Sequence, residues 1–312
     1  MRVLVTGADG FVGSWLVPRL LEEGHQVVAG IRPGAPAGRR LSPDVPRVPL
    51  ELTDGDSVNA ALARHPDAVI HLAAVASGTE AESNPAHAWT VNAVGTVRVA
   101  EALGKVRLEG RGDPLLLVVS TAEVYGPGDR RPRVETDAVH PVSPYAASKL
   151  GAEIGALEVH RRTGLRVIVA RAFPHSGRGQ DDRFVLPAFA KRLLLAKRLG
   201  APAIEVGNLD VVREFNHVSD VVEAYCRLLV GGEPGEIYNV ASGVGVRLGD
   251  VLDRMCELVG YRVVPETTPT LLRRADIPYL VGNGEKLKAV TGWSPRIPLE
   301  AVLQEVIDAQ KD

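Results

Sequence analysis

Tyr145 and Lys149 close the run Tyr145-Ala146-Ala147-Ser148-Lys149, a spacing that puts a phenol and an ammonium on one face of a helix. A free tyrosine gives up its proton only at about pH 10, and a neighbouring cation stabilises the phenolate, so the pair is a usable proton donor or acceptor. Far upstream, Arg2-Val3-Leu4-Val5-Thr6-Gly7-Ala8-Asp9-Gly10-Phe11-Val12-Gly13 reads as a strand, a glycine turn and the start of a helix. Gly7, Gly10 and Gly13 let such a turn tighten and its backbone approach a pyrophosphate, with free amides and the helix dipole stabilising the charge. Each half is a weak signal alone. Together they point to hydride transfer with a nicotinamide dinucleotide.

A third group follows the apolar run Leu115-Leu116-Leu117-Val118-Val119, in Ser120-Thr121-Ala122-Glu123-Val124-Tyr125-Gly126. A hydroxyl at the carboxyl end of a parallel strand faces the ligand crevice, so Thr121 is placed to hydrogen-bond an oxygen that gains or loses charge. The second strand ends Val27-Val28-Ala29-Gly30-Ile31-Arg32, with Gly30 near the place where an acidic residue would hold the ribose hydroxyls of NAD. A guanidinium binds a 2′-phosphate that a carboxylate would repel, so Arg32 favours NADP(H). NAD(H) stays open, because Arg32 also reads as a solvated loop arginine.

The elements that must carry these groups alternate. Val3–Thr6, Gln26–Ile31, Arg47–Pro49, Ala68–Leu72, Leu115–Ser120 and Val167–Ala170 read as strands, and Gly13–Glu23, Ser57–Arg64, Trp89–Leu103 and Tyr145–Thr163 as helices. That alternation predicts an α/β fold, a Rossmann-like doubly wound parallel sheet, with a smaller α/β substrate-binding domain after it. The expected division is 1–171 for the dinucleotide and 172–312 for the substrate, with parts of 210–240 returning to the first domain. Helices near Phe184–Leu199, Asp220–Leu229 and Leu248–Val259 and a strand at Glu236–Val240 complete the reading, and Arg39 to Asp44 reads as a surface loop.

With 312 residues, 45% hydrophobic and 24% charged, the composition is that of a globular protein. A net charge of −2 gives no basic footprint for nucleic acid, and no apolar stretch reaches membrane-spanning length. A strand-like run from Met1 leaves no room for a signal peptide on this reading, and a cytoplasmic enzyme is expected. Cys226 and Cys256 read as buried free thiols, His65 and His160 as solvated, and no metal constellation stands out.

These motifs resemble the extended short-chain dehydrogenase/reductases, the NAD-dependent epimerase/dehydratase family that acts on nucleotide sugars. His71-Leu72-Ala73-Ala74 is similar to the family's fourth-strand signature beside the cofactor, Asn92 to its helix asparagine, and Glu51-Leu52 to the acidic–apolar pair near adenine. The segment from Gly207 through Arg213-Glu214-Phe215-Asn216-His217 to Tyr225, and Leu272-Arg273-Arg274-Ala275-Asp276, resemble GDP-6-deoxy-mannose reductases and GDP-mannose 4,6-dehydratases. The resemblance implies Phe11, Val12, Leu72, Ala73, Ala74, Asn92, Glu51 and Leu52 at the cofactor, Arg213 on the nucleotide diphosphate and Arg273 near the nucleotide end. It also implies a homodimer, to which the apolar faces of Trp89–Leu103 and Tyr145–Thr163 would contribute, although core packing explains the same pattern. The chain departs from the family at Pro174, where an asparagine is usual, and at Glu214, Arg274 and Asn283. Pro174 cannot supply an amide side chain, so His175 or a backbone group is expected to meet the substrate.

Dehydratases need extra acid–base groups beside the threonine. Glu123 is a candidate base and substrate contact, but Ala122 offers no proton. Reduction of the C4 ketone of GDP-4-keto-6-deoxy-mannose, giving a GDP-6-deoxy-hexose such as GDP-rhamnose, is therefore the favoured activity. GDP-mannose 4,6-dehydratase and UDP-sugar 4-epimerase activities are the alternatives, and a non-catalytic dinucleotide sensor the remote one.

Overall fold

The computed structural model describes residues 1–34, 41–272 and 276–311. Its first half runs β1 (Arg2–Thr6), α1 (Phe11–Glu22), β2 (Gln26–Ile31), β3 (Arg47–Pro49), α2 (Gly55–Leu62), β4 (Ala68–His71), α3 (Gly78–Ser83) and α4 (Pro85–Trp89). A π-helical segment, Thr90–Val94, leads into α5 (Gly95–Leu108), β5 (Leu115–Thr121), a 3-10 turn at Ala122–Tyr125, α6 (Pro144–Thr163) and β6 (Arg166–Ala172). Then come β7 (His175–Ser176), α7 (Val185–Leu199), β8 (Ala203–Val206), β9 (Val212–Arg213), β10 (Asn216–His217), α8 (Val218–Gly231) and β11 (Ile237–Val240). The rest is β12 (Val246–Arg247), α9 (Leu248–Val259), β13 (Val264–Thr267), β14 (Tyr279–Leu280), α10 (Glu285–Thr291) and α11 (Leu299–Asp308).

Seven parallel strands lie side by side in the order β11-β6-β5-β4-β1-β2-β3. The chain winds outward from β1 to β3, then returns to β4 on the other side of β1. Ligand crevices open at such a reversal, outside the carboxyl ends of the strands. Both faces of the sheet are covered, which is why its strands read as unbroken apolar runs rather than alternating ones. Val3, Val5, Ile70 and Leu117 pack with Leu16, Leu20 and Val221 of α1 and α8, while Leu4, Val69, Leu116 and Val118 pack with Val99, Leu103 and Val159 of α5 and α6. Each fully buried leucine or valine contributes roughly 1.5–3 kcal/mol.

A separate core joins α7, α9, α11 and β8 through Leu193, Met255, Leu303 and Val306. The chain passes back to the first core twice: β11 pairs with β6, and Leu287 and Trp293 pack beside α8. One expected helix is replaced. Trp89–Leu103 is α4, the π segment and α5 in succession, starting earlier because Asn84 Oδ1 caps His87 N at 3.1 Å and Pro85 occupies the first turn. Among the described residues, no helix is long and apolar enough to cross a membrane and no group of three or more His, Cys, Asp or Glu is placed to hold a metal.

Candidate active site

β1 delivers the glycine turn to the point where the winding reverses. Gly7 sits at φ +66, and its amide donates to Gly30 O at 2.9 Å. A Cβ there would lie 2.9 Å from the Ala73 backbone, and one on Gly13 would lie 2.5 Å from Ala8 O. Side chains are therefore excluded on both sides of the turn. The first turn of α1, at Phe11, Val12 and Gly13, has neither a side-chain cap at Gly10 nor an acidic residue, so its positive end is left for an anion. The residues present fit a pyrophosphate.

At the neighbouring strand end, three side chains form one polar chain that ends on a backbone carbonyl. Thr6 Oγ1 accepts from Ala73 N at 3.1 Å and meets His71 Nδ1 at 2.9 Å; His71 Nε2 meets Thr96 Oγ1 at 3.1 Å; Thr96 Oγ1 donates to Asn92 O at 2.6 Å. Because Thr96 donates to a carbonyl, it accepts from His71, so the imidazole carries its proton on Nε2 and accepts from Thr6 on Nδ1. Burial, with the Lys149 charge adding to it, pushes this histidine down to about 3, and the chain needs it neutral. Asn92 lies in the π segment, where its side chain grips Val75 N (2.8 Å) and Val75 O (3.1 Å) and donates to Ser148 Oγ (2.9 Å). Ser148 in turn donates to Tyr145 O at 2.8 Å. A π-turn at a functional site has a purpose here: it lets one asparagine bridge the loop after β4 and the helix of the tyrosine.

That helix, α6, starts where Ser143 Oγ caps Ala146 N at 3.1 Å and Pro144 takes the first turn. Its Tyr145 phenol lies beside the Thr121 hydroxyl at the end of β5, near enough for that hydroxyl to favour the phenolate. Burial pushes the phenol above its ordinary value, the Glu123 charge adds to this, and the nearby Thr121 hydroxyl opposes both. Lys149 is buried, 3% exposed, and its Nζ donates to Val119 O at 2.5 Å. Burial lowers the ammonium to about 8, against the pull of Glu153. Thr121 Oγ1 also accepts from Glu123 N at 3.2 Å, fixing the turn that carries Glu123. Thr121, Glu123, Tyr145 and Lys149 thus meet at one strand end, two strands from the glycine turn.

A profile of the NAD dependent epimerase/dehydratase family matches residues 3–241. The chain belongs to this family. It is 35% identical over 309 residues to a GDP-6-deoxy-D-mannose reductase of Pseudomonas aeruginosa, covering 98% of this chain and 96% of that protein. It is 30% identical over 325 residues to a UDP-glucose 4-epimerase of Mycolicibacterium smegmatis, covering 99% and 98%. Among solved structures it superposes on RMD from Pseudomonas aeruginosa complexed with NADPH (TM-score 0.82, 31% identity, 99% and 98% covered) and on a Thermus thermophilus UDP-glucose 4-epimerase complexed with NAD (TM-score 0.87, 31%, 100% and 99%). Family membership makes the chain an enzyme of this NAD(P)-dependent group of reductases, epimerases and dehydratases.

Within this family member, the remaining expected residues fall in three groups. Arg32 is exposed just past β2, and Glu51 lies close enough to feel its charge. Hydrogen bonds from Thr53 N (2.9 Å) and Oγ1 (2.7 Å) hold the Glu51 carboxyl below its ordinary value. Leu52 is buried against Gly95, and its carbonyl accepts from Arg98, while Leu72, Ala73 and Ala74 line the loop leaving β4. His175 stacks on Phe11 with centroids 6.3 Å apart and an interplanar angle of 9°, joining the glycine turn to the second half of the chain. Its Nδ1 donates to Phe173 O at 2.9 Å, and burial lowers its pKa, leaving Nε2 as an acceptor. Arg213 is held by Asp276 Oδ1 at 2.9 Å. Arg273, like Arg274, lies outside the described residues.

Sequence reasoning gave no buried role to several polar groups that the fold encloses. Glu214 accepts from Ser242 N and Oγ (both 2.6 Å), Gly243 N (2.9 Å) and Gly282 N (3.0 Å), and burial pushes it up to about 7 against these donors. Asn216 donates from its backbone to Pro174 O at 2.9 Å, and its buried Oδ1 has no partner among the described residues. His160, expected in solvent, is half-buried: its Nδ1 donates to Leu165 O at 2.6 Å, and Gly235 packs against the ring. Its signal was the αL glycine cap at Gly164, which folds the following residues back onto the helix end.

Proposed function

We propose that this enzyme uses NADPH to reduce the C4 ketone of a GDP-4-keto-6-deoxy-hexose of the mannose series, giving a GDP-6-deoxy sugar such as GDP-rhamnose. The observation that carries the reading is the set around Thr121: one hydroxyl, one phenol, one ammonium and the Glu123 carboxylate, with Ala122 buried beside them and without the second proton that dehydration needs. Ketone reduction needs a single proton donor at the carbonyl oxygen, whereas dehydration adds a C5 base and a donor to the departing hydroxyl. The identity to the Pseudomonas aeruginosa reductase supports the same substrate class.

When bound, NADPH supplies the hydride for C4. Tyr145 is protonated at neutral pH, because burial and Glu123 push its pKa up, and it gives that proton to the ketone oxygen. Thr121 hydrogen-bonds the same oxygen, and Lys149 holds the nicotinamide ribose while its charge stabilises the phenolate left behind. Arg213, aimed by Asp276, takes the diphosphate. Asn216 and His175 supply the polar contacts to the sugar that Pro174 cannot. In this reading the exposed Arg32 selects the 2′-phosphate, residues 172–312 bind the nucleotide sugar, and two copies pair through Trp89, Val94 and Ile154, large apolar side chains that are 44%, 45% and 59% exposed.

NADPH consumption across a panel of nucleotide-linked 4-keto sugars tests the reading. Turnover of GDP-4-keto-6-deoxy-mannose well above its UDP- and dTDP-linked counterparts is expected. Copurified NAD with interconversion of UDP-hexoses and no net oxidation would replace it with the epimerase reading, which the Mycolicibacterium relative supports.

A further inference from the structure

Glu153 follows Lys149 by four residues, as Lys149 follows Tyr145, so all three share one face of α6. Its side chain is 2% exposed and fully engaged. Arg171 of β6 donates to it from Nη2 at 2.8 Å and from Nε at 3.1 Å, and Ser120 Oγ donates to the same carboxylate. Two consecutive residues near the end of β5 thus each hold a residue of α6, Val119 O taking Lys149 and Ser120 taking Glu153, and the next, Thr121, lies beside Tyr145.

The charged and titratable groups around Lys149 are few. His71 of β4 is neutral, Tyr145 is a neutral phenol, and Glu123 lies on the Tyr145 side. Arg171 is committed to Glu153 and sits 4.8 Å over the Tyr125 ring. Burial works against the ammonium, and Glu153 is the charge that opposes burial. A buried ion pair is seldom required for stability, since apolar replacements of the whole pair are often neutral or better.

We propose that Glu153 is a positioning residue for the reaction: it fixes Tyr145 and Lys149 against the end of β5 and is the counter-charge that keeps Lys149 an ammonium. The proposal rests on the tyrosine–lysine reading of the site.

Titration of the ligand-free protein carrying 13Cε-labelled lysine, followed by NMR with Lys149 assigned through Lys149→Met, reads the charge directly. Glu153→Gln moves the Lys149 midpoint down by roughly one pH unit, and the high-pH limb of kcat/KM moves with it. Glu153→Gln alone strands Arg171 in the interior. The double variant Glu153→Gln/Arg171→Gln, which leaves no unpaired buried charge, must therefore also show the downward shift. A Lys149 midpoint that stays in place in either folded variant overturns the proposal. The titration needs no substrate, so absence of turnover on every nucleotide sugar would contradict the proposed function and leave the Glu153 result standing.

Discussion

Replacing Tyr145 by phenylalanine removes one hydroxyl and little else. The ring keeps its packing beside Val75, Ala81 and Ala88, and the Ser143 cap and the Asn92–Ser148 bridge, which hold α6 by its backbone, do not involve the phenol. The stability change is confined to the phenol's polar contact with Thr121, at most about 0.5–1.5 kcal/mol. Loss of the proton donor is larger: a factor of about 10²–10⁴ in turnover, or roughly 3–5 kcal/mol on the barrier. Lys149 keeps its anchor on Val119 O and, on the proposed reading, its place at the ribose, so NADPH affinity should stay within about threefold. Steady-state absorbance at 340 nm gives kcat, and fluorescence titration gives the NADPH Kd. A kcat within tenfold of the parent, or a Kd weakened as much as kcat falls, would refute the assignment of Tyr145 as the proton donor.

On the proposed reading Lys149 works as an ammonium, and burial places its pKa at about 8, so kcat/KM should be level near neutrality and fall above that value. Lys149→Met should lack this limb and bind NADPH more weakly; activity that climbs above pH 8 would contradict the role. His71 makes an acid-side prediction. Below its ordinary value of 6.5 the unfolded chain takes up a proton that the folded imidazole, held at about 3, refuses. Stability present above pH 6.5 is thus lost as pH falls toward the folded value, by about 3 kcal/mol between pH 7 and pH 4. Urea unfolding at the two pH values should therefore show wild type losing that much more than His71→Asn; equal losses would contradict it. Gly13→Ala sets a methyl 2.5 Å from Ala8 O, which forces the turn apart at a cost of about 1–3 kcal/mol. Calorimetric NADPH binding should weaken at least about tenfold, and unchanged affinity would remove Gly13 from the cofactor turn.

What the sequence made legible is what repeats over short distances. Apolar runs marked the inner strands of the central sheet, a four-residue spacing paired Tyr145 with Lys149, and glycines at Gly7 and Gly13 announced a turn that excludes side chains. The polar chain from Thr6 through His71 to the Asn92–Thr96 stretch draws on three separated segments, and no local pattern links them. Glu153 with Arg171, and Arg213 with Asp276, are likewise pairs that only tertiary folding brings together. The π segment escaped because one extra residue per turn barely disturbs the spacing of apolar positions over so short a stretch. His160 was misread for a related reason: its partner carbonyl lies beyond the helix end, in a chain reversal that hydropathy does not report.

The central claim is that hydride passes from NADPH to a sugar ketone beneath the Tyr145 phenol. Incubating the enzyme with nicotinamide-4-deuterated NADPH and GDP-4-keto-6-deoxy-mannose, then locating the label by NMR, tests it most directly. The account predicts one deuterium at C4 of a GDP-6-deoxy sugar, one equivalent of NADP formed and no label at C5. A product without deuterium at C4, or sugar conversion with no consumption of NADPH, would contradict it.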